Sequence, residues 1–136
     1  MDYKLITDIF NNHKNVAVVG FSDNRTRPSN RVGRYLQGNG FKVYGVNPKL
    51  ENSIVDEINC FGSLKNLHFE IDIINIFRRS EFLYELVKEI LFMKFKPAVI
   101  WAQVGVIDND AKLLAESNGF LYIENRCIMT EHQKSF

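Results

Sequence analysis

Basic side chains gather at a few points of a sequence whose total charge is nearly balanced. The chain has 17 Lys and Arg against 16 Asp and Glu, a formal net charge of +1, so a general attraction to nucleic acid or to a membrane is not expected. Several cations nevertheless follow short apolar runs that read as buried strands. Seven residues share this placement: Arg25, Arg27, Arg31, Lys49, Arg78, Arg79 and Arg126. Together they would suit a ligand with more than one negative charge.

The segment VAVVGFSDNRTRPSN, residues 16–30, has the layout of a phosphate-binding turn. An apolar strand ends at Gly20, a loop with two arginines follows, and Ser29, just after Pro28, is predicted to cap a helix. The first N–H groups of a helix have no internal partners, and the helix dipole favours an anion there. The dipole contributes only about 0.3–1 kcal/mol at an exposed site. Hydrogen bonds from arginine, roughly 1.5–3 kcal/mol each, would therefore supply more of the affinity.

The elements that must position these residues alternate along the chain. Apolar patterns predict strands at 15–20, 42–46, 71–77, 98–102 and 120–124, and helices at 3–11, 29–37, 80–95 (capped by Ser80) and from the Asp108 cap to Gly119. Residues 49–61 are predicted to be a loop with a short strand near Cys60, 63–67 a helical turn, and the tail from Arg126 has no clear period. Apolar strands joined by helices predict an α/β fold, a doubly wound single domain over residues 1–136 with a five-stranded parallel sheet.

The ends of the first two strands indicate which nucleotide the site prefers. In a doubly wound sheet the ligand lies at the carboxyl ends of the strands. A typical NAD site has three spaced glycines and an acidic residue after the second strand, whereas here Gly20 stands alone and the second strand ends in Asn47-Pro48-Lys49. A carboxylate at that point would repel a phosphate on the ribose, while Asn and Lys accept one. The sequence therefore favours a ligand with a phosphorylated ribose.

Candidate catalytic residues do not form a recognisable set. No nucleophile elbow is present, and Ser22 has no evident base. The three histidines lack metal-ligand spacing, so we predict no catalytic residue and no metal site. Cys127 could form a mixed disulfide with a thiol ligand, although a structural cysteine is the commoner case. Trp101 is expected in the core, and Gly33 in a helix indicates close packing against the sheet.

Four segments together resemble the small, single-domain CoA-binding proteins. They are VVGFSDNRTRPSNRVGRYLQGNGFKVYGVNP, DIINIFRRSEFLYELV, VIWAQVGVIDNDA and ENRCIM, in the same order as in that family. The resemblance covers about residues 13–132. The same Rossmann-like module is similar to the nucleotide-binding domain of the succinyl-CoA synthetase α subunit, which holds CoA without catalytic machinery. The loop 50–61 is not distinctive, and His68-Phe69 replaces a proline-containing turn, but neither lies in the implied site.

The resemblance implies a site for coenzyme A or acyl-CoA. The Gly20-Phe21-Ser22 turn and Arg27-Pro28-Ser29 would meet the phosphates. Val46, Asn47 and Pro48 would border the adenosine, with Lys49 as a phosphate partner. Phe77 and Arg78 would flank the adenine or the diphosphate. Gln103 and the turn Asn125-Arg126-Cys127 would line the path of the pantetheine arm.

Three functions remain open at this point. The favoured one is a non-enzymatic CoA or acyl-CoA binding module, and the alternative is an NAD(P)-dependent enzyme or redox sensor, with NADP preferred. A response-regulator-like switch is disfavoured, because the third strand ends in Phe77-Arg78 instead of an acidic phosphoacceptor. Two distant cysteines and no apolar leader favour the cytoplasm. We expect no nucleic-acid or membrane partner, and a homodimer is left open.

Overall fold

A seven-stranded, mostly parallel sheet forms the centre of the protein, as seen in a computed structural model that describes residues 3–136. The strands are β1 Asn15–Val19, β2 Lys42–Val46, β3 Ile54–Val55, β4 Ile58–Phe61, β5 Ile73–Ile76, β6 Val99–Ala102 and β7 Leu121–Ile123. Their spatial order is β3-β4-β2-β1-β5-β6-β7, and only β3 runs antiparallel to its neighbour. The fold is α/β and Rossmann-like, which confirms the predicted class.

The predicted count of five strands was wrong, because a hairpin adds β3 and β4 at one edge. Its turn uses Asp56 and Glu57, both with positive φ, at 50° and 67°. Tight hairpins need this geometry but signal it with Asn or Gly, so the sequence gives no hairpin pattern there. The short strand predicted near Cys60 is β4, and it pairs in parallel with β2.

Helices cover both faces of the sheet. They are α1 Tyr3–Asn12, α2 Pro28–Gly38, α3 Leu83–Leu91, α4 Asn109–Ser117 and α5 Ile128–Ser135, with 3-10 turns at Pro48–Leu50, Leu64–Asn66 and Ser80–Phe82. One apolar cluster packs α3 and α4 on one face. The other packs α1, α2 and α5 on the opposite face. Strands buried on both faces explain the continuous apolar runs in the sequence.

Two helix predictions need correction. Ser80 does not cap α3, because its hydroxyl donates to the Gly105 carbonyl and accepts from the Ile107 N–H, at 3.1 and 2.9 Å. These bonds tie the start of α3 to the loop after β6. The tail, which shows no period in the sequence, forms α5, and two of its buried residues are Glu131 and His132. A helix that buries polar side chains lacks the apolar stripe by which helices are recognised. Asp108 caps α4 as predicted, accepting from the Ala111 N–H at 2.9 Å.

Candidate functional site

The strand order reverses at β1: β2 and β4 lie on one side of it, and β5, β6 and β7 on the other. From β1 the chain moves to β2 and then returns to β5, so the carboxyl ends of β1 and β5 lie side by side. Such a switch point opens a crevice in which nucleotides bind in doubly wound sheets. Gly20 and Phe77 follow these two strands and face each other across the crevice, and the Phe77 N–H donates to the Val19 carbonyl at 2.8 Å.

A cavity of about 360 Å³ opens at this crevice and reaches the start of α2. Six residues line it: Gly20, Ser22, Arg27, Pro28, Ser29 and Phe77. All six were predicted from the sequence to belong to the ligand site. The N-cap of α2 is Arg27, not Ser29, because Pro28 takes the first helical position. No side chain caps this end of the helix, and Pro28 has no N–H. The N–H groups of Asn30 and Arg31 donate to the Arg27 carbonyl, so the Ser29 N–H is the amide left available to a ligand.

Phe21, predicted with Gly20 and Ser22 to meet the ligand, has a fully buried side chain that does not line this cavity. The ring lies between Gly33 of α2 and Gly45 of β2, where an added Cβ would come within 2.9 Å and 2.5 Å of it, respectively. Close packing of α2 on the sheet therefore explains Gly33, as predicted. The side chain of Phe21 cannot meet a phosphate without leaving the core.

The side chain of Asn47, in the loop after β2, is hydrogen-bonded to the loop after β1. Its Nδ2 donates to the Phe21 carbonyl at 2.9 Å, and its Oδ1 accepts from the Lys49 N–H at 2.9 Å. Val46 and Pro48, on either side of it, border a second, smaller cavity of about 110 Å³ together with Arg78. The sequence did not single out Gly62, Ser63 and Leu64 on the opposite wall.

A third cavity, of about 440 Å³, lies beyond β6 and β7 against the start of α5. It is lined by Val104, Glu124, Asn125, Arg126, Cys127, Thr130, Glu131 and Lys134. We call it the Cys127 cavity. Three of the four residues assigned to the pantetheine path lie on its wall, and the fourth, Gln103, is buried just behind it.

Gln103 supports the start of α5 from below. Its Oε1 accepts from the Ile128 N–H at 2.9 Å and from Asn75 Nδ2 at 3.0 Å. Asn75 is a fully buried amide in the apolar strand β5, and sequence analysis missed it, although a lone polar residue in such a run was the available signal. Asn125 is also occupied, since its Oδ1 accepts from the Gly105 N–H at 2.8 Å.

The seven basic residues differ in their partners. Arg25 pairs with Asp56 at 3.4 Å, Arg79 with Glu81 at 3.0 Å and Arg126 with Glu131 at 2.8 Å. Within residues 3–136, no carboxylate lies within ion-pair distance of the remaining four: Arg27, Arg31, Lys49 and Arg78. The guanidinium of Arg78 lies 4.5 Å from the centre of the Phe82 ring. The sequence predicted seven basic residues at one edge; three of them pair with carboxylates of the described residues and four do not.

The cysteines and Trp101 have different environments. Cys127 is half-buried, whereas Cys60 is buried and its thiol contacts the Ile58 carbonyl at 3.5 Å. Burial raises the pKa of the Cys60 thiol. Trp101 is in the core, as predicted, and its Nε1 donates to the Arg126 carbonyl at 2.9 Å.

None of the helices over residues 3–136 is both long and apolar enough to cross a membrane. The same residues include no cluster of His, Cys, Asp or Glu suited to a metal ion.

Comparisons with known proteins bear on the whole chain. The model of a family described as CoA binding domain matches residues 14–133. Uncharacterized protein YneT of Bacillus subtilis (strain 168) is 34% identical over 127 residues, which span 93% of this chain and 91% of that protein. The solved structure of cell-free ID.343 from Thermus thermophilus has a TM-score of 0.93 at 27% identity and full coverage of both chains. A hypothetical protein from Pyrococcus horikoshii OT3 has a TM-score of 0.90 at 29% identity, over 98% of this chain and 92% of that one. The protein therefore belongs to the CoA binding domain family.

Proposed function

We propose that the protein binds coenzyme A, free or acylated, along the carboxyl edge of its sheet and that it does so without catalysing a reaction. The observation that carries this proposal is the set of three cavities that follow the strand order along one edge. Two of them lie beside basic residues that have no carboxylate partner among residues 3–136. CoA has three corresponding parts: an adenosine with a 3′-phosphate, a diphosphate and a pantetheine arm.

The diphosphate fits best in the cavity between Gly20 and the start of α2. Gly20 lets the backbone approach closely, and the Ser29 N–H at the start of α2 can donate to a phosphate oxygen. Arg27 is exposed at the mouth of the cavity and can add a charge-assisted hydrogen bond. Phe21 contributes only backbone atoms, and Ser22, Pro28 and Ser29 shape the wall.

The adenosine would lie at the mouth of the smaller cavity, which Val46 and Pro48 border and Glu89 also lines. Arg78 lines this cavity, and Lys49 follows Pro48 directly at the surface. Both are therefore candidates to hold the phosphate on the ribose. Asn47 acts by keeping the first two loops together. Phe77 lines the cavity proposed for the diphosphate.

The pantetheine arm would extend over β5 and β6 into the Cys127 cavity. Asn125, Arg126 and Cys127 line it, and Gln103 positions the start of α5 behind it. We infer binding without turnover because the polar side chains at this edge hold the protein's own loops. The side-chain oxygen of each of three amides accepts a hydrogen bond from a backbone N–H: Asn47, Gln103 and Asn125.

Isothermal titration calorimetry with CoA, dephospho-CoA and NADPH tests the proposal. CoA is expected to bind most tightly, with dephospho-CoA weaker by about tenfold, because one charge-assisted contact of about 1.5 kcal/mol is lost. NADPH also carries a ribose phosphate but lacks the pantetheine arm, so it should bind more weakly than CoA. Tighter binding of NADPH, or recovery of NADP from the denatured purified protein by mass spectrometry, would overturn the proposal in favour of a redox function.

A further inference from the structure

The smaller cavity, at the carboxyl end of β2, is lined by a carboxylate as well as by Arg78. The carboxylate belongs to Glu89, an exposed residue of α3. Within residues 3–136 no cation lies within ion-pair distance of it, whereas Glu85, one turn earlier on α3, pairs with Lys88 at 3.5 Å. A carboxylate beside a site for a polyanion weakens binding by repulsion, unless the ligand donates a hydrogen bond to it.

Arg78 and Glu89 are separated along the length of α3. The guanidinium of Arg78 lies 4.5 Å from the centre of the Phe82 ring, and Phe82 directly precedes the first residue of α3, Leu83. Glu89 follows Leu83 by six residues, a distance of roughly 9 Å at about 1.5 Å per residue. The two side chains form no ion pair with each other. They therefore present a positive group and a negative group to different parts of a bound molecule.

Apolar side chains form the walls between these two charged groups. Val19 and Val46 end the neighbouring strands β1 and β2, Leu64 begins the 3-10 turn after β4, and Leu86 precedes Glu89 by three residues. All four apolar residues are at most 8% exposed. Apolar walls with a few polar groups at fixed places suit a flat ring and set its orientation. The cavity volume is about 110 Å³, so a base would enter edge first and leave its sugar at the mouth.

We propose that Glu89 selects adenine as the base of the bound nucleotide by accepting a hydrogen bond from its exocyclic 6-amino group. The inference rests on the proposed function, which brings the adenosine to this cavity. With the phosphate on the ribose held by Arg78, the base extends along α3 toward Glu89. The 6-amino group is the N–H donor on the edge of adenine, and a carboxylate accepts from it with a charge-assisted hydrogen bond.

The same contact rejects a purine that has an oxygen at position 6. Hypoxanthine has the size and shape of adenine, but it has a carbonyl oxygen in place of the amine. That oxygen is an acceptor, so it would meet the Glu89 carboxylate without a hydrogen atom between them. The hydrogen bond is lost and a repulsion takes its place.

Glu89→Gln separates base selection from general affinity. The amide of glutamine can accept from the adenine amine through Oε1 or donate to the hypoxanthine oxygen through Nε2, so the variant should accept both bases. Glu85→Gln is the matched control, because Glu85 is exposed on the same helix but does not line the cavity. Both variants lose one negative charge, which raises the affinity for any polyanion. The measured quantity is therefore the ratio of two dissociation constants within each protein.

Isothermal titration calorimetry with CoA and with its hypoxanthine analogue, at one fixed salt concentration, tests the proposal. We expect the wild type to bind CoA at least about tenfold more tightly than the analogue, because a charge-assisted hydrogen bond is lost. Glu89→Gln should lower this preference to about threefold or less, while Glu85→Gln should keep the wild-type preference. Urea denaturation of the three proteins checks that the variants are folded.

Three results would overturn the role of Glu89 while CoA still binds, and the proposed function would then stand alone. They are equal affinity of the wild type for both ligands, tighter binding of the hypoxanthine analogue, and a preference that Glu89→Gln leaves unchanged. Tighter binding of the analogue would mean that the carboxylate accepts from the ring N1–H instead.

Adenosine 3′,5′-bisphosphate and its hypoxanthine analogue, which lack the pantetheine arm, are titrated in parallel. If CoA does not bind but the adenosine bisphosphate binds with a base preference that Glu89→Gln removes, the role of Glu89 stands and the proposed function fails. If none of the four ligands binds, both fail.

Discussion

Gly20 packs directly against the backbone carbonyl of Phe77 just after the carboxyl ends of β1 and β5. A Cβ on residue 20 would overlap that oxygen, and the φ of Gly20 is +85°. Side chains are disfavoured at such a φ even in open space. The two loops that bound the cavity at the start of α2 can therefore approach each other only because residue 20 has no side chain.

Gly20→Ala is expected to lower the free energy of unfolding by about 2 kcal/mol or more and to weaken CoA binding. The matched control is Gly40→Ala, since Gly40 has a similar φ of +89° but nothing within 4 Å of its Cβ position. The control should cost about 1 kcal/mol and leave binding unchanged. Urea denaturation and calorimetry measure both. Equal effects of the two variants on binding would contradict the role of the Gly20–Phe77 contact.

Arg27→Gln is expected to weaken CoA binding by about tenfold, because it removes a charge-assisted hydrogen bond to a phosphate. Arg25→Gln is the control, since Arg25 lies in the same loop but already pairs with Asp56 at 3.4 Å. Its effect should stay below about threefold, as expected for an exposed ion pair. Titration calorimetry at one fixed salt concentration compares them. A larger loss in Arg25→Gln would reverse the assignment of the two arginines.

Arg78→Gln is expected to reduce the preference for CoA over dephospho-CoA. If Arg78 holds the phosphate on the ribose, the variant loses affinity for CoA and keeps its affinity for dephospho-CoA. The neighbouring Arg79→Gln should preserve the preference, because Arg79 is exposed and pairs with Glu81 at 3.0 Å. The ratio of the two dissociation constants is the measurement. An unchanged ratio in Arg78→Gln would transfer the role to Lys49, whose substitution is then measured in the same way.

Stability is expected to fall at mildly acidic pH because of His132. Its Nδ1 lies 2.7 Å from the Tyr35 hydroxyl, and the rings of Phe10 and Phe41 pack against it. Burial, and secondarily the charge of Lys14, lowers the His132 pKa below 6.5. As the pH falls below 6.5, His132 of the unfolded chain is protonated, whereas His132 of the folded chain stays neutral until a lower pH. The free energy of unfolding therefore decreases as the pH falls below 6.5.

The slope from one such group is at most about 1.4 kcal/mol per pH unit. Urea denaturation between pH 7.5 and 5.5 should show a smaller loss in His132→Gln, which cannot take up this proton, than in the wild type. Carboxylates titrate in both proteins, so the difference between the two slopes is the quantity that counts. Identical slopes in the two proteins would show that protonation of His132 does not cause the loss of stability.

The sequence by itself determined the alternation of strands and helices and the places where loops leave the sheet. Strands such as β1 and β5 are buried on both faces, so their apolar runs are continuous and legible. Gly20, Pro28 and Asp108 mark turns and helix starts by local backbone chemistry. All six residues that line the cavity at the start of α2 could therefore be named in advance.

Tertiary structure alone decided which of the predicted basic and loop residues have partners within the protein. Arg25 is neutralised by Asp56, which is 31 positions away, and Arg126 by the buried Glu131 of a helix without an apolar period. Phe21 was predicted to contact the ligand, but its ring packs in the core between Gly33 and Gly45. Local sequence sets backbone preferences within a few residues. The partner of Arg25, the cavities and the burial of Phe21 depend on segments that only the folded sheet brings together.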